Sequence, residues 1–150
     1  MQVREILRVK GSTLYTATPD EKLAEAITAM AEQDVGSLVV MRAGKMVGML
    51  TFREVIKAVN DRKGKVDDAK VEDVMVRDPV TVPPDMKVDD LRRLMIEKHS
   101  RYLPVMDGDV LQGVISFLDV AKAVLEEQSF ENKMLKNYIR NWPEGEHPTV

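Results

Sequence analysis

Two short figures in this sequence carry residue types that could hold a small polar molecule. Ser116-Phe117-Leu118-Asp119 places a hydroxyl and a carboxylate three residues apart, and Thr51-Phe52-Arg53-Glu54 does the same 65 residues earlier. Each follows an apolar stretch containing a glycine, Gly113-Val114-Ile115 and Gly48-Met49-Leu50. That order reads as a buried strand running into the first turn of a helix, with Ser or Thr at the N-cap. Two roles are open to the carboxylate there. It can reach back to the cap and close a capping box, a structural role. Alternatively it can accept from the vicinal hydroxyls of a ribose, while the cap hydroxyl and the helix amides receive a phosphate. Glutamate has the length for the cap, so Glu54 is expected to serve mainly its own helix. Aspartate fits the cap less well, so the Asp119 carboxylate is expected to point outward to a ligand.

Little else is equipped for catalysis. The chain has no cysteine, which removes disulfides, thiolate chemistry and cysteine metal sites. Its two histidines form no visible trio with a nucleophile and an acid, and His99 reads as a helix-end residue. Asp67-Asp68 and Asp107-Gly108-Asp109 lack calcium-loop spacing and read as linker and turn. The net charge is −3 with a pI near 5.5, so no overall field favours nucleic acid or an anionic membrane. No apolar run approaches the ~20 residues of a membrane span, and the charged stretch Arg4 to Lys10 does not suit a signal peptide. The expectation is a soluble cytoplasmic protein without catalytic, metal or obligatory cofactor sites.

The elements that must position the two figures are themselves duplicated. Pro19 to Val59 aligns without gaps on Pro84 to Val124, with 14 identities in 41 positions. Upstream, Val3-Arg4-Glu5-Ile6 matches Val71-Glu72-Asp73-Val74 at an offset of 68, so the first copy has three extra residues near Lys10-Gly11-Ser12. Each copy reads as an amphipathic lead segment, an extended stretch (Leu14 to Thr16, Val80 to Val82), a helix, a two-stranded hairpin and a closing helix. In the first copy Thr18-Pro19-Asp20-Glu21 reads as a capping box opening that helix, whose apolar stripe is Leu23, Ala26, Ile27, Met30 and Ala31. The second copy keeps the stripe as Val88, Leu91, Leu94 and Met95. The hairpin strands are Ser37 to Met41 with Met46 to Leu50, and Leu103 to Met106 with Val110 to Ile115. The division is residues 1–62, a linker over 63–70, residues 71–126, a helical extension over 127–142 and a frayed tail over 143–150. Within the extension Met134, Leu135, Tyr138, Ile139 and Trp142 form a stripe outside the duplicated unit, suited to a subunit contact.

The tandem copies, Tyr102-Leu103-Pro104-Val105-Met106-Asp107-Gly108, and the strand glycine followed by Thr/Ser-x-x-Asp/Glu together resemble the CBS-domain pair, or Bateman module, of free-standing bacterial type. The resemblance covers about residues 3–125. It implies an α/β (α+β) fold of two βαββα units whose small sheets pack face to face about a pseudo-twofold axis. It further implies two clefts for adenine nucleotides or related compounds such as NAD and S-adenosylmethionine, assembly as a homodimer and an unknown downstream protein. On that resemblance one cleft would use Thr13, Leu14, Tyr15, Val35, Gly36, Ser37, Arg101, Tyr102, Val114, Ser116 and Asp119. A second, weaker one would use Met49, Thr51, Arg53, Glu54 and Val80. The function implied is a non-catalytic sensor for an adenosine-containing ligand such as AMP, ADP, ATP, NAD or S-adenosylmethionine. The alternative is a structural homodimerisation module with degenerate clefts.

Overall fold

A computed structural model describes residues 1–11 and 13–140. The order is α1 (Val3–Lys10), β1 (Thr16–Ala17), α2 (Leu23–Gln33), β2 (Ser37–Arg42), β3 (Lys45–Thr51) and α3 (Phe52–Asp61). The second copy follows as α4 (Val71–Val74), β4 (Val76–Arg77), α5 (Val88–Lys98), β5 (Tyr102–Asp107), β6 (Val110–Ser116) and α6 (Phe117–Arg140).

The two hairpins are superimposable in register. Gly48 pairs with Val40 and Gly113 with Val105, and each hairpin shifts register one residue later, between Val40 and Met41 or Val105 and Met106. Helices α2 and α5 both close on a left-handed residue, Asp34 (φ 52°) and His99 (φ 51°), 65 positions apart. His99 is thus the C-cap of α5. Most of each stripe faces inward: Leu23, Ala26 and Met30 are buried in one core, and Val88, Leu91 and Met95 in the other, with Ile27 and Leu94 half-buried beside them; Ala31, at the edge of its stripe, is exposed.

Chain order and packing order differ at the lead segments. Val3 and Ile6 of α1 lie in the core of the second copy, and Val71 of α4 lies in the core of the first. Backbone hydrogen bonds fix both exchanges in the same pattern. Val3 N–H donates to the Met86 carbonyl (2.9 Å) and Val88 N–H to that of Met1 (3.0 Å). Val71 N–H donates to the Glu21 carbonyl (2.9 Å) and Leu23 N–H to that of Ala69 (2.9 Å). These bonds overturn the capping box expected at Thr18-Pro19-Asp20-Glu21. The Pro19 and Glu21 carbonyls are taken by the crossing segment, Thr18 to Glu21 form a single turn closed by Glu21 N–H on the Thr18 carbonyl (3.2 Å), and α2 starts at Leu23 with Lys22 as an extended N-cap lacking a side-chain bond.

The copies are unequal where the exchanged segments land. Behind Gly48 the chain continues as β4, completing a sheet in the order β1-β2-β3-β4. A side chain at Gly48 would meet the Val76 carbonyl at 2.7 Å. Behind Gly113 lies the longer α1, with Leu7 at 3.1 Å from where a Cβ would stand, and the second sheet keeps only β5 and β6. The extended stretch expected at Val80 to Val82 reduces to one bridge, Val82 with Val105. Among the described residues no helix is long and apolar enough to cross a membrane. Trp142 and the tail over 143–150 lie outside the described residues, as does Ser12.

Candidate ligand clefts

Both Ser/Thr-x-x-Asp/Glu figures sit where a strand hands over to a helix. The helices are pinned alike: Phe52 N–H donates to the Gly36 carbonyl (3.2 Å) and Phe117 N–H to the Arg101 carbonyl (2.8 Å). A cleft opens beside each junction, walled on its other side by the opposite copy.

The cleft beside Ser116 has a volume of about 750 Å³. Thr13, Leu14, Tyr15, Val35, Gly36, Ser37, Arg101, Tyr102, Val114 and Ser116 all line it, as the sequence reading grouped them; Asp119 does not. The cleft beside Thr51 measures about 590 Å³, and Met49, Thr51, Arg53, Glu54 and Val80 all line it. Arg101 and Tyr102 line both clefts. Tyr102 forms a shared wall, and Gly36 makes room for it: a Cβ at Gly36 would fall 1.8 Å from Tyr102 Oη.

The two carboxylates are held differently. Glu54 Oε1 accepts from the Thr51 amide (2.8 Å) and the Thr51 hydroxyl (2.7 Å), while Thr51 Oγ1 accepts from Arg53 N–H (3.3 Å). This is the capping box expected of Glu54. Asp119 was expected to point outward, and it does not. Its Oδ2 accepts from Ser116 N–H (2.9 Å), and Ser116 Oγ accepts from Asp119 N–H (3.1 Å). The same Oδ2 also receives Lys10 Nζ at 2.7 Å, and Lys10 donates to the Val114 carbonyl at 2.8 Å. The shorter acid reaches the cap amide after all, because only its own backbone turn has to be spanned. Burial is the largest influence on the Asp119 carboxyl and opposes its charge. The Lys10 ammonium and the Ser116 amide and hydroxyl together outweigh it and hold the group below the ordinary aspartate value. At the start of the first copy, burial and then the neighbouring Glu25 and Asp20 raise Glu21.

Lys10 is the residue sequence reading missed. It ends the extra turn that the three inserted residues give α1, so the insertion was its signal, but nothing in the spacing said where the turn would land. The smaller cleft also gains Lys57 and Asn60, which share a helical face with Arg53 at i, i+4 and i+7; that spacing was readable. Arg53 Nη2 donates to the His99 carbonyl at 2.6 Å and so ties α3 to the end of α5.

The sequence profile of the CBS domain matches this chain twice, over residues 3–61 and 71–126. An uncharacterised 17.7 kDa protein of Acidianus ambivalens is 30% identical over 129 residues, covering 85% of this chain and 77% of that protein. A solved CBS-domain protein from Burkholderia ambifaria superposes with a TM-score of 0.80 at 33% identity, covering 85% of this chain and 96% of that one. The structure of CBSX2 in complex with AMP superposes with a TM-score of 0.72 at 23% identity, covering 85% of this chain and 98% of that one, a likeness of fold.

Proposed function

The chain belongs to the CBS-domain family, as a tandem pair, and from that premise we propose that it is a non-catalytic regulatory module binding an adenosine-containing ligand. The ligand class is AMP, ADP, ATP, NAD or S-adenosylmethionine, and the working unit is a homodimer. The observation that carries this reading is the pair of clefts. Each joins a hydroxyl at a helix N-terminus to the wall of the opposite copy, and their volumes of about 750 and 590 Å³ lie in the range of small-molecule sites. CBSX2 holds AMP on the same fold.

The larger cleft is the tighter site in this reading. Ligand entry exchanges the Lys10–Asp119 pair for two new contacts: the ribose hydroxyls donate to Asp119, and Lys10 turns on its four-carbon stem to a phosphate. Lys10 is 35% exposed, which leaves the stem space to swing. The Ser116 hydroxyl and the Leu118 amide would serve the same phosphate, the Phe117 and Asp119 amides being paired already. Calorimetric titration of the full chain with AMP, ATP, NAD and adenosine tests this. Saturable binding of at least one nucleotide supports the module; none at millimolar ligand removes the reading.

One observation favours the alternative, a structural interaction module. Both carboxylates are satisfied without a ligand, Glu54 by Thr51 and Asp119 by Lys10 and Ser116. Mass spectrometry of the natively purified protein separates the two, since a co-purifying adenylate belongs only to the sensor.

A further inference from the structure

Gly36 and Arg101 are equivalent positions in the two copies, and each carbonyl receives the first amide of its own closing helix, from Phe52 (3.2 Å) and Phe117 (2.8 Å). The duplication therefore offers two places for a side chain between the clefts and fills only one. Gly36 leaves its place to the Tyr102 ring. Among the described residues Arg101 is the one cation that lines both clefts. The other cations are engaged or lie on one side only. Lys10, in the larger cleft, is paired with Asp119, and Arg53, in the smaller, donates to the His99 carbonyl. Lys57 lines the smaller cleft alone. The Arg101 side chain is exposed and, among the described residues, has no hydrogen bond or ion pair. Its backbone is tied down by Phe117, so its freedom lies in the side chain.

We propose that Arg101 is a phosphate ligand for both clefts but for one at a time, so that two anionic nucleotides compete for it. This inference rests on the ligand reading above and adds a regulation to it: filling either cleft weakens the other. The reason lies in the guanidinium. It grips a phosphate with parallel N–H groups in one plane, and a side chain turned into one cleft withdraws those donors from the other. Bridging both would draw two phosphates toward a single positive charge, and their mutual repulsion opposes that. The exclusion is partial, because Lys10 and Lys57 still serve one cleft each. An uncharged nucleoside has nothing to compete for, so the coupling is absent with adenosine. By linkage the effect is equal in both directions.

Calorimetric titration of the full chain with AMP reads the coupling. Thr13→Trp obstructs the larger cleft and Val80→Trp the smaller; both residues are exposed, and each lines one cleft only. Leu118→Trp and Asn60→Trp, likewise exposed and in the same two clefts, replace either variant that fails its thermal melt. The product of the two stepwise dissociation constants of the wild type is expected about tenfold above the product of the two single-cleft constants. With Arg101→Gln added to all three chains the products should agree, and Arg101→Lys should keep part of the gap. Adenosine should give equal products throughout. Two AMP bound with no gap, or a gap that persists in Arg101→Gln or with adenosine, overturns the proposal and leaves the ligand reading standing. AMP bound by only one single-cleft variant also overturns it, since an idle cleft has no claim on Arg101. No AMP bound by the wild type overturns it too, whereas the ligand reading falls only if ATP, NAD and adenosine fail as well.

Discussion

The two clefts are built from duplicated parts, yet they differ in what holds their carboxylates. Beside Thr51, the acid is locked by its own cap through two hydrogen bonds to one residue. Beside Ser116, the acid is shared between its cap and a lysine delivered by the other copy. A bond inside one helical turn is local and hard to exchange. An ion pair to a long, partly exposed lysine is exchangeable, because its cation keeps water and rotamers available. The difference teaches that a duplicated motif can keep its residue types while one carboxylate closes on its own cap and the other is shared with a side chain from far along the chain.

The largest effect expected is at Asp119. A charge-assisted hydrogen bond contributes roughly 1.5–3 kcal/mol, or about 10- to 150-fold in affinity. Asp119→Ala should therefore weaken AMP binding at least about tenfold in calorimetry, with folding checked by thermal melts. Should Glu54→Ala abolish binding while Asp119→Ala does not, the clefts have been ranked the wrong way round.

Next is the wall the clefts share. Gly36→Ala puts a Cβ onto the Tyr102 hydroxyl, so the ring has to move. Overpacking of this kind costs about 1–3 kcal/mol, and the displaced ring should weaken nucleotide binding in both clefts. A melt unchanged within a degree, together with wild-type binding, would show that the wall yields without consequence.

A smaller effect belongs to Lys10. Lys10→Ala should reduce AMP affinity about three- to tenfold, as loss of a phosphate contact, and leave adenosine affinity nearly unchanged. Equal losses for AMP and adenosine would place Lys10 away from the phosphate. Glu54→Ala should cost about 0.5–2 kcal/mol of stability through its cap and alter binding only a few-fold.

The smallest effect is on acid stability. The folded Asp119 carboxyl lies below its ordinary value of 3.8, so its stabilisation is present above that value and lost as pH falls through the folded value. Lys10→Ala removes an influence that lowers Asp119, so the stability lost between pH 5 and strongly acid conditions should be smaller in the variant. Glu21 has the opposite sign: its folded value is raised above 4.5, so protonation on acidification relieves a cost. Denaturant midpoints of wild type and Lys10→Ala across that range check the sign. Identical profiles would mean that Asp119 does not report the pair.

Much of the fold was legible because its signals are local and repeated. The hairpins, the α2 and α5 stripes and the 65-residue offset follow from alternation, helical spacing and identity, each read within a few residues. The Thr51–Glu54 cap was legible for the same reason. The start of α2 was misread because Thr18 to Glu21 has the composition of a capping box, while its carbonyls are claimed by residues some fifty positions away. Asp119 was misjudged in direction because side-chain length was weighed without the lysine that pulls on the same oxygen.

The sequence by itself determined that there are two like units, which face of α2 and of α5 turns inward and where each strand meets its helix. Those properties depend on residue type and short-range periodicity, which the chain carries wherever it goes. Only the tertiary structure decided that each lead segment completes the other unit, that Arg101 and Tyr102 serve both clefts, and that Lys10 reaches Asp119 from 109 residues away. These depend on which backbone carbonyls remain unpaired after the units form, and on where an extra helical turn ends in space. No local pattern encodes either one.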